Sequence, residues 1–215
     1  MTREARQILV GVLVTFSAWP ISAAGQVTLT RGSVEGVVTD FRGPASEAVV
    51  YLVPLGSRAG AGPSKSGGPP ETVVMDQVSL RFQPPVVAVP TGSTVQFLNS
   101  DPIMHNVFSP SRRGADFDLG TYPAEESRPY TFNEPGAYLL LCHVHPEMAG
   151  WVIVVAGRGF ATTDETGAFA IRDVAPGRYE VRAWYRRRDL PIDTIEVPEG
   201  TQTSLAIRVP RLGRR

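Results

Sequence analysis

Short apolar runs separated by turn residues follow one another through most of the chain. Runs such as VVYLV (49–53), STVQFLN (93–99) and WVIVVA (151–156) each have the length of a strand, and Pro, Gly or Asp stands between most of them. No clean helical period appears after the first 24 residues. The pattern therefore predicts an all-β protein built from β-sandwiches.

The first 24 residues have a different pattern. A polar segment with Arg3 and Arg6 precedes the apolar run ILVGVLVTFSAW, and small residues follow at Ser22 and Ala24. This order predicts a signal peptide, residues 1–24, cleaved near Ala24, and therefore a periplasmic or secreted protein. The alternative is an uncleaved anchor. No later segment is long and apolar enough to be expected to span a membrane.

The two ends of the remaining chain resemble parts of a single domain. VEGVVTDFRGPASEAVVYL (34–52) and TDETGAFAIRDVAPGRYEVRA (163–183) are about 110 residues apart. Together they resemble the carboxypeptidase-regulatory-like (transthyretin-like, or prealbumin-like) β domain. The resemblance implies a small discontinuous sandwich, residues 27–56 with 157–212, that surrounds an inserted domain at residues 72–156.

Such an insertion is inexpensive in free energy because the entropy of loop closure grows slowly with loop length. Residues 57–71, rich in Gly, Ser and Pro, are expected to be a flexible segment before the inserted domain. The alternative is two domains in series with a loose N-terminal hairpin. Residues 27–56 alone are too few to bury a core, which favours the insertion.

Charge says little about the partner. The chain has 21 basic and 21 acidic residues, and removal of residues 1–24 leaves a net charge of −1. Residues 72–156 have a net charge of −4 and residues 157–215 a net charge of +3. Neither nucleic acid nor an anionic membrane is expected as the main partner of a chain with this balance. The run Arg186–Arg188 is interpreted as a solvated sheet edge.

The stretch LLLCHVHPEM (139–148) concentrates residues that are rare elsewhere in the chain. It holds the single cysteine, Cys142, two of the three histidines and one of the four methionines. An exported protein normally pairs its cysteines, and Cys142 has no partner within the chain. Thiolate, imidazole and a weak thioether from Met148 suit a trigonal copper site with a long axial bond. The alternatives are a buried structural thiol and core packing of Met148.

Such a site needs two imidazoles. His145 is one candidate because its spacing from the cysteine and the methionine lets a single loop bring all three together. His143 is a poor second, since neighbouring side chains of an extended strand point to opposite faces. The other histidine of the chain is His105, in NSDPIMHNVFS (99–109). Asn106, beside it, is placed to hydrogen-bond across to the cysteine loop.

HNVFS (105–109) followed by FNEPGAYLLLCHVHPEM (132–148) resembles the cupredoxins. The resemblance implies a Greek-key β-sandwich that holds one mononuclear type 1 (blue) copper and transfers single electrons. The spacing Cys-x-x-His-Pro-x-Met is that of short-loop members such as amicyanin. Carried over position by position, it implies the metal ligands His105, Cys142, His145 and Met148, with Asn106 and Pro146 supporting them. A cupredoxin joined to the outer domain also resembles the layout of proteins labelled methylamine-utilisation proteins.

The chain departs from amicyanin and plastocyanin at Val144, where those proteins have proline. Valine keeps its backbone N–H, so we expect Val144 and Asn106 both to donate to the Cys142 sulfur. Two such donors would stabilise the electron-rich reduced site and raise its potential.

Several other apolar residues are expected to pack in the core or to surround the site. Tyr138 and Trp151 are assigned to the core behind the site, and Met75 and Met104 to packing. His145 is expected near the surface within an apolar collar formed by Pro102, Ile103, Met104 and Pro146.

The predicted function is an exported electron carrier, not an enzyme, that works between a redox donor and acceptor such as a cytochrome or a dehydrogenase. Three histidines are too few for a trinuclear copper cluster, and one cysteine is too few for a thiolate-bridged binuclear site. Structural zinc seldom takes methionine, and a cysteine hydrolase needs an exposed, activated thiol. Two alternatives remain: a copper-binding or storage protein without a redox partner, and an extracellular interaction module with a vestigial site.

Overall fold

The computed structural model describes residues 30–56, 71–110, 116–157 and 159–211. Within these ranges the regular structure consists of strands, without a helix, as the apolar pattern predicts. A helix long and apolar enough to cross a membrane is accordingly not found among the described residues. The predicted signal peptide (1–24) and residues 57–70 of the predicted flexible segment lie outside them.

The strands in chain order are β1 (Gly32–Asp40), β2 (Gly43–Pro44), β3 (Val49–Pro54), β4 (Thr72–Val78), β5 (Arg81–Gln83), β6 (Val86–Pro90), β7 (Ser93–Asn99), β8 (His105–Ser109), β9 (Phe117–Tyr122), β10 (Ser127–Phe132), β11 (Gly136–Leu141), β12 (Ala149–Val155), β13 (Phe160–Thr162), β14 (Ala168–Val174), β15 (Gly177–Tyr185), β16 (Arg188–Val197) and β17 (Gln202–Arg208). They form two β-sandwiches. We call β4–β12 the inner sandwich, and β1–β3 with β13–β17 the outer sandwich.

The inner sandwich consists of a sheet ordered β10-β7-β4-β5 and a second sheet ordered β6-β12-β11-β8-β9. In β7 every second residue is buried, which is the alternation expected of a strand with one face on the core. Phe97 from the first sheet and Leu140 and Val152 from the second belong to one apolar cluster. Burial of this cluster between the sheets holds β8 and β11 next to each other, and both lead to the candidate site.

The outer sandwich combines strands from both ends of the chain. In one sheet β1 lies between β14 and β17, running parallel to β17 with Gly36 opposite Leu205. In the other sheet β3 lies between β13 and β15, with Val50 opposite Ala183. The buried side chains of these strands form a second apolar cluster, separate from that of the inner sandwich.

The two sandwiches contact each other through a small third cluster. Trp151 of β12 and Trp184 of β15 pack with their ring centroids 5.2 Å apart, beside Val49 and Ile153. The expectation that Trp151 fills the core behind the site is therefore wrong. Tyr138 does lie in the inner core, whereas Trp151 points to the opposite face of its sheet because successive residues of a strand alternate in direction.

Candidate metal centre

The predicted ligands lie at one end of the inner sandwich, where β8 begins and the neighbouring β11 ends. β8 begins at His105, and the loop between β11 and β12 spans residues 142–148. Leu141 at the end of β11 is paired antiparallel with Phe108 of β8, so the loop residues that follow it run back towards the start of β8. Sheet pairing, rather than sequence proximity, thus brings His105 to the cysteine loop.

Three donor atoms converge at this point. His105, Cys142 and His145 each place one ligand atom within 4.8 Å of the other two. The two Nδ1 atoms are 3.0 Å apart, and the sulfur is 3.9 Å from Nδ1 of His145. Ligand bonds of about 2.0 Å to nitrogen and about 2.3 Å to sulfur allow donors at such separations to share one ion. Two imidazoles and one thiolate are the donor set of a trigonal copper site, so the residues fit the group predicted from the sequence.

The orientation of His105 is set by a carboxylate that the sequence reading did not identify. Nε2 of His105 lies 2.8 Å from Oδ2 of Asp101, and both side chains are buried. A hydrogen bond from Nε2–H leaves Nδ1 as the unprotonated, ligating nitrogen. The spacing of four residues in DPIMH was a weak signal, since such a pair in a loop need not meet.

Asp101 is itself held firmly. Its carboxylate accepts hydrogen bonds from the Ser79 N–H at 2.6 Å and the Leu80 N–H at 2.9 Å, both in the turn between β4 and β5. Burial raises the pKa of Asp101, but the hydrogen bonds from Leu80, the His105 ring and Ser79 together outweigh burial and hold the pKa below its usual value. An ionised Asp101 therefore joins the first sheet of the inner sandwich to His105.

Cys142 is a buried free thiol with 3% of its surface exposed. The Asn106 N–H donates to its sulfur over 3.4 Å, as expected from the sequence. The expected second donor is not found: within the described ranges, no hydrogen bond joins the Val144 N–H to the Cys142 sulfur. Val144 follows the end of β11 and is 48% exposed, so it lies on the solvent side of the loop.

Met148 and Pro146 complete the loop. Met148 is only 1% exposed and belongs to the same apolar cluster as Cys142. Its N–H donates to the His145 carbonyl at 3.0 Å, which closes a turn through the exposed Pro146. This turn fixes the loop between a candidate nitrogen donor and a buried thioether.

His143 points away from the three donors. Its side chain is 58% exposed, and its ring stacks on Phe108 at a centroid distance of 3.7 Å. The His143 N–H donates to Oδ1 of Asn106, so Asn106 does link the two loops. The alternation argument that set His143 aside agrees with this placement.

The residues expected to surround His145 are at the surface. His145 is partly exposed, and Pro102, Ile103, Met104 and Pro146 are all exposed. Met104 is 51% exposed, so its assignment to packing is wrong, whereas Met75 is fully buried in the inner core. Met104 and Ile103 lie in a loop fixed by Asn99, whose amide donates to the Ile103 carbonyl at 2.9 Å.

Known proteins are similar to the part of the chain that contains these residues. The sequence model for copper-binding proteins of the plastocyanin/azurin family matches residues 71–155. Amicyanin-alpha of Methylorubrum extorquens is 32% identical over 98 residues, which are 45% of this chain and 82% of that protein. The chain belongs to this family. Amicyanin of Paracoccus versutus is 34% identical over 88 residues, 40% of this chain and 67% of that protein.

Family membership establishes the cofactor and the class of function. Copper is the cofactor of this chain, as one type 1 ion, and the chain is a blue copper electron carrier rather than an enzyme. Among solved structures, a reduced amicyanin variant is similar with 29% identity and a TM-score of 0.37, over 39% of this chain and 82% of that one.

Proposed function

We propose that this chain is an exported carrier of single electrons whose copper ion is held by His105, Cys142, His145 and Met148. The observation that carries the proposal is the convergence of two imidazole nitrogens and one sulfur within 4.8 Å of one another. When bound, copper supplies one-electron cycling between Cu(I) and Cu(II) in a donor set that suits both states.

The protein's own residues prepare these donors. Asp101 accepts a hydrogen bond from Nε2–H of His105, which leaves the lone pair of Nδ1 free to bind the metal. The Cys142 sulfur must lose its proton to act as a ligand, and the Asn106 N–H stabilises the charge that then develops on it. The apolar cluster around Cys142 and Met148 keeps water away from the sulfur.

We place the docking surface for the redox partner, a cytochrome or a dehydrogenase, on the apolar collar of Pro102, Ile103, Met104 and Pro146. Support comes from the exposure of these side chains, which directly precede His105 or follow the partly exposed His145 in the chain. Exposed apolar groups beside a buried reactive centre are typical of interaction surfaces. The partner would contact the His145 ring directly, which shortens the path for an electron.

The remaining part of the proposal concerns the rest of the chain. We propose that residues 27–56 and 157–212 form a discontinuous carboxypeptidase-regulatory-like domain around the copper domain at 72–156. The pairing of β1 with β17 and of β3 with β15 supports this arrangement. Cleavage of residues 1–24 near Ala24 would release the protein into the periplasm or the medium.

The decisive experiment is a visible spectrum of the full chain after addition of Cu(II), beside Cys142→Ser. We expect an intense blue colour in the wild type that is absent in the variant, because the colour requires a thiolate ligand. A colourless wild type would reject the proposal. Reversible reduction by a cytochrome would distinguish an electron carrier from a storage protein, which binds copper without such exchange.

A further inference from the structure

A carboxylate outside the predicted ligand set contacts two residues next to the sulfur. Oδ1 of Asp118, in β9, accepts hydrogen bonds from Nδ2 of Asn106 at 2.6 Å and from the Gly120 N–H at 2.9 Å. Oδ2 of Asp118 lies 3.2 Å from Nε2 of His143. One side chain therefore connects the start of β8 with the residue that follows Cys142.

Both polar atoms of the Asn106 side chain form hydrogen bonds. While Nδ2 donates to Asp118, Oδ1 accepts the His143 N–H at 3.3 Å. Asn106 is almost completely buried, so rotation of its amide would leave polar atoms unpaired. The backbone N–H that reaches the Cys142 sulfur belongs to this doubly anchored residue.

His143 is anchored by packing as well as by Asp118. Its ring lies nearly parallel to that of Phe108, with 6° between the planes. Phe108 is the strand partner of Asp118, and the β8–β9 register shifts between Asn106 and Phe108. Such a bulge bends a strand and redirects its side chains. Here the shift lies between Asn106, which donates to Asp118, and Phe108, on which the His143 ring stacks.

The surroundings of Asp118 favour the ionised form of its carboxyl group. The Gly120 N–H is the main cause that holds its pKa below the usual value, against burial and together with Asn106 and His143. An ionised carboxylate makes stronger hydrogen bonds than a neutral acceptor does.

We propose that Asp118, together with His143, is a positioning pair that holds the Asn106 N–H on the Cys142 sulfur and thereby adjusts the reduction potential. The proposal rests on the function proposed above, because Cys142 must be a copper ligand for the potential to respond. N–H donors to a ligating sulfur favour the reduced site, so loosening Asn106 lowers the potential.

The test uses three variants of the full chain that each remove one negative charge. Asp118→Asn keeps an oxygen acceptor for Asn106, Asp118→Ala removes it, and Asp116→Ala removes a nearby exposed carboxylate. Loss of charge alone would change the potential similarly in all three. We expect the Cu(II)-loaded Asp118→Ala protein to have the lowest potential of the three by voltammetry, with a shifted visible band.

Copper-free protein provides an independent measurement. We expect the backbone N–H of Asn106 to exchange with solvent deuterium about three- to tenfold faster in Asp118→Ala than in Asp118→Asn. This is the factor that corresponds to the loss of one hydrogen bond. His143→Ala should change exchange in the same direction, and it carries the test if Asp118→Ala does not fold. Equal Asn106 exchange in these variants and the wild type would overturn the proposal, whereas failure of the wild type to bind copper would reject only the proposed function.

Discussion

The Nδ1 atoms of His105 and His145 lie 3.0 Å apart, although the two residues are 40 positions apart in the chain. The pairing of β8 with β11 produces this proximity, and Asp101 determines which nitrogen of His105 faces His145. Two imidazoles held in this way need little rearrangement to bind one ion.

His105 and His143 are the two candidates for the second imidazole, and their substitution should affect copper binding very differently. We expect His105→Ala to lose stoichiometric Cu(II) binding, since it removes one of three converging donors. His143→Ala should still bind one copper and remain blue, because its ring is directed towards Phe108 and Asp118. Metal analysis after gel filtration measures both. Copper loss in His143→Ala would contradict the assignment.

Removal of Asp101 should weaken copper binding. Asp101→Ala frees the His105 ring to change tautomer and leaves the Ser79 and Leu80 N–H groups without their acceptor. We expect a loss of about 10- to 100-fold in Cu(II) affinity, the usual effect of losing a partner of a ligating histidine. Competition with a chelator provides the measurement. Asp76→Ala, which disturbs Ser100 in the same loop, is the matched control and should have a much smaller effect.

Val144→Pro tests whether a second donor reaches the sulfur. The variant removes the Val144 N–H, which has no hydrogen bond to Cys142 within the described residues. We therefore expect the midpoint potential in protein-film voltammetry to equal that of Val144→Ala, which loses the side chain but keeps the N–H. A lower potential in the proline variant would restore the expectation drawn from the sequence.

The contact between the sandwiches should contribute measurably to stability. Trp184→Ala removes a buried ring that packs on Trp151, and we expect a loss of about 3 kcal/mol in the free energy of unfolding. Denaturant unfolding of the copper-free protein measures it. Val37→Ala, at an exposed apolar position, is the control and should cost less than about 0.5 kcal/mol. Similar losses in both variants would show that the contact is unimportant.

The close approach of β1 and β17 supplies a test of the outer sandwich. A Cβ at Gly36 would lie 1.9 Å from the backbone oxygen of Leu205, so the strands must separate to accept alanine. We expect Gly36→Ala to destabilise the protein by about 1–3 kcal/mol, the usual cost of overpacking. Gly157→Ala, whose Cβ would meet no atom within 4 Å, is the matched control. Equal stability of the two variants would show that β1 does not pair with β17 as described.

Much of the candidate site was readable from sequence because its residues are rare and closely spaced. Cys142, His145 and Met148 share one loop, and the pairing of Asn106 with that loop followed from its place beside His105. The strand period also separated His143 from the candidate ligands, and its ring lies on Phe108, away from the three donors. The same reasoning failed for Trp151, since WVIVVA is apolar on both faces and the alternation that distinguishes core from contact surface is hidden.

The carboxylates were beyond the reach of sequence reasoning. Asp101 and Asp118 are two among many acidic residues; the spacing of Asp101 from His105 is only a weak signal, and nothing in the local pattern marks Asp118. Their roles depend on the register of β8 against β9 and on the turn between β4 and β5, which bring distant polar atoms within hydrogen-bond distance.

By itself the sequence determined the all-β class, the identity of the metal and the loop that supplies most of its candidate ligands, because these follow from residue type, period and spacing. Only the tertiary structure decided which nitrogen of His105 is available, that Val144 faces solvent, and that Asp118 anchors Asn106. These features depend on where side chains point once the strands and loops have packed, and residue type and spacing do not set those directions.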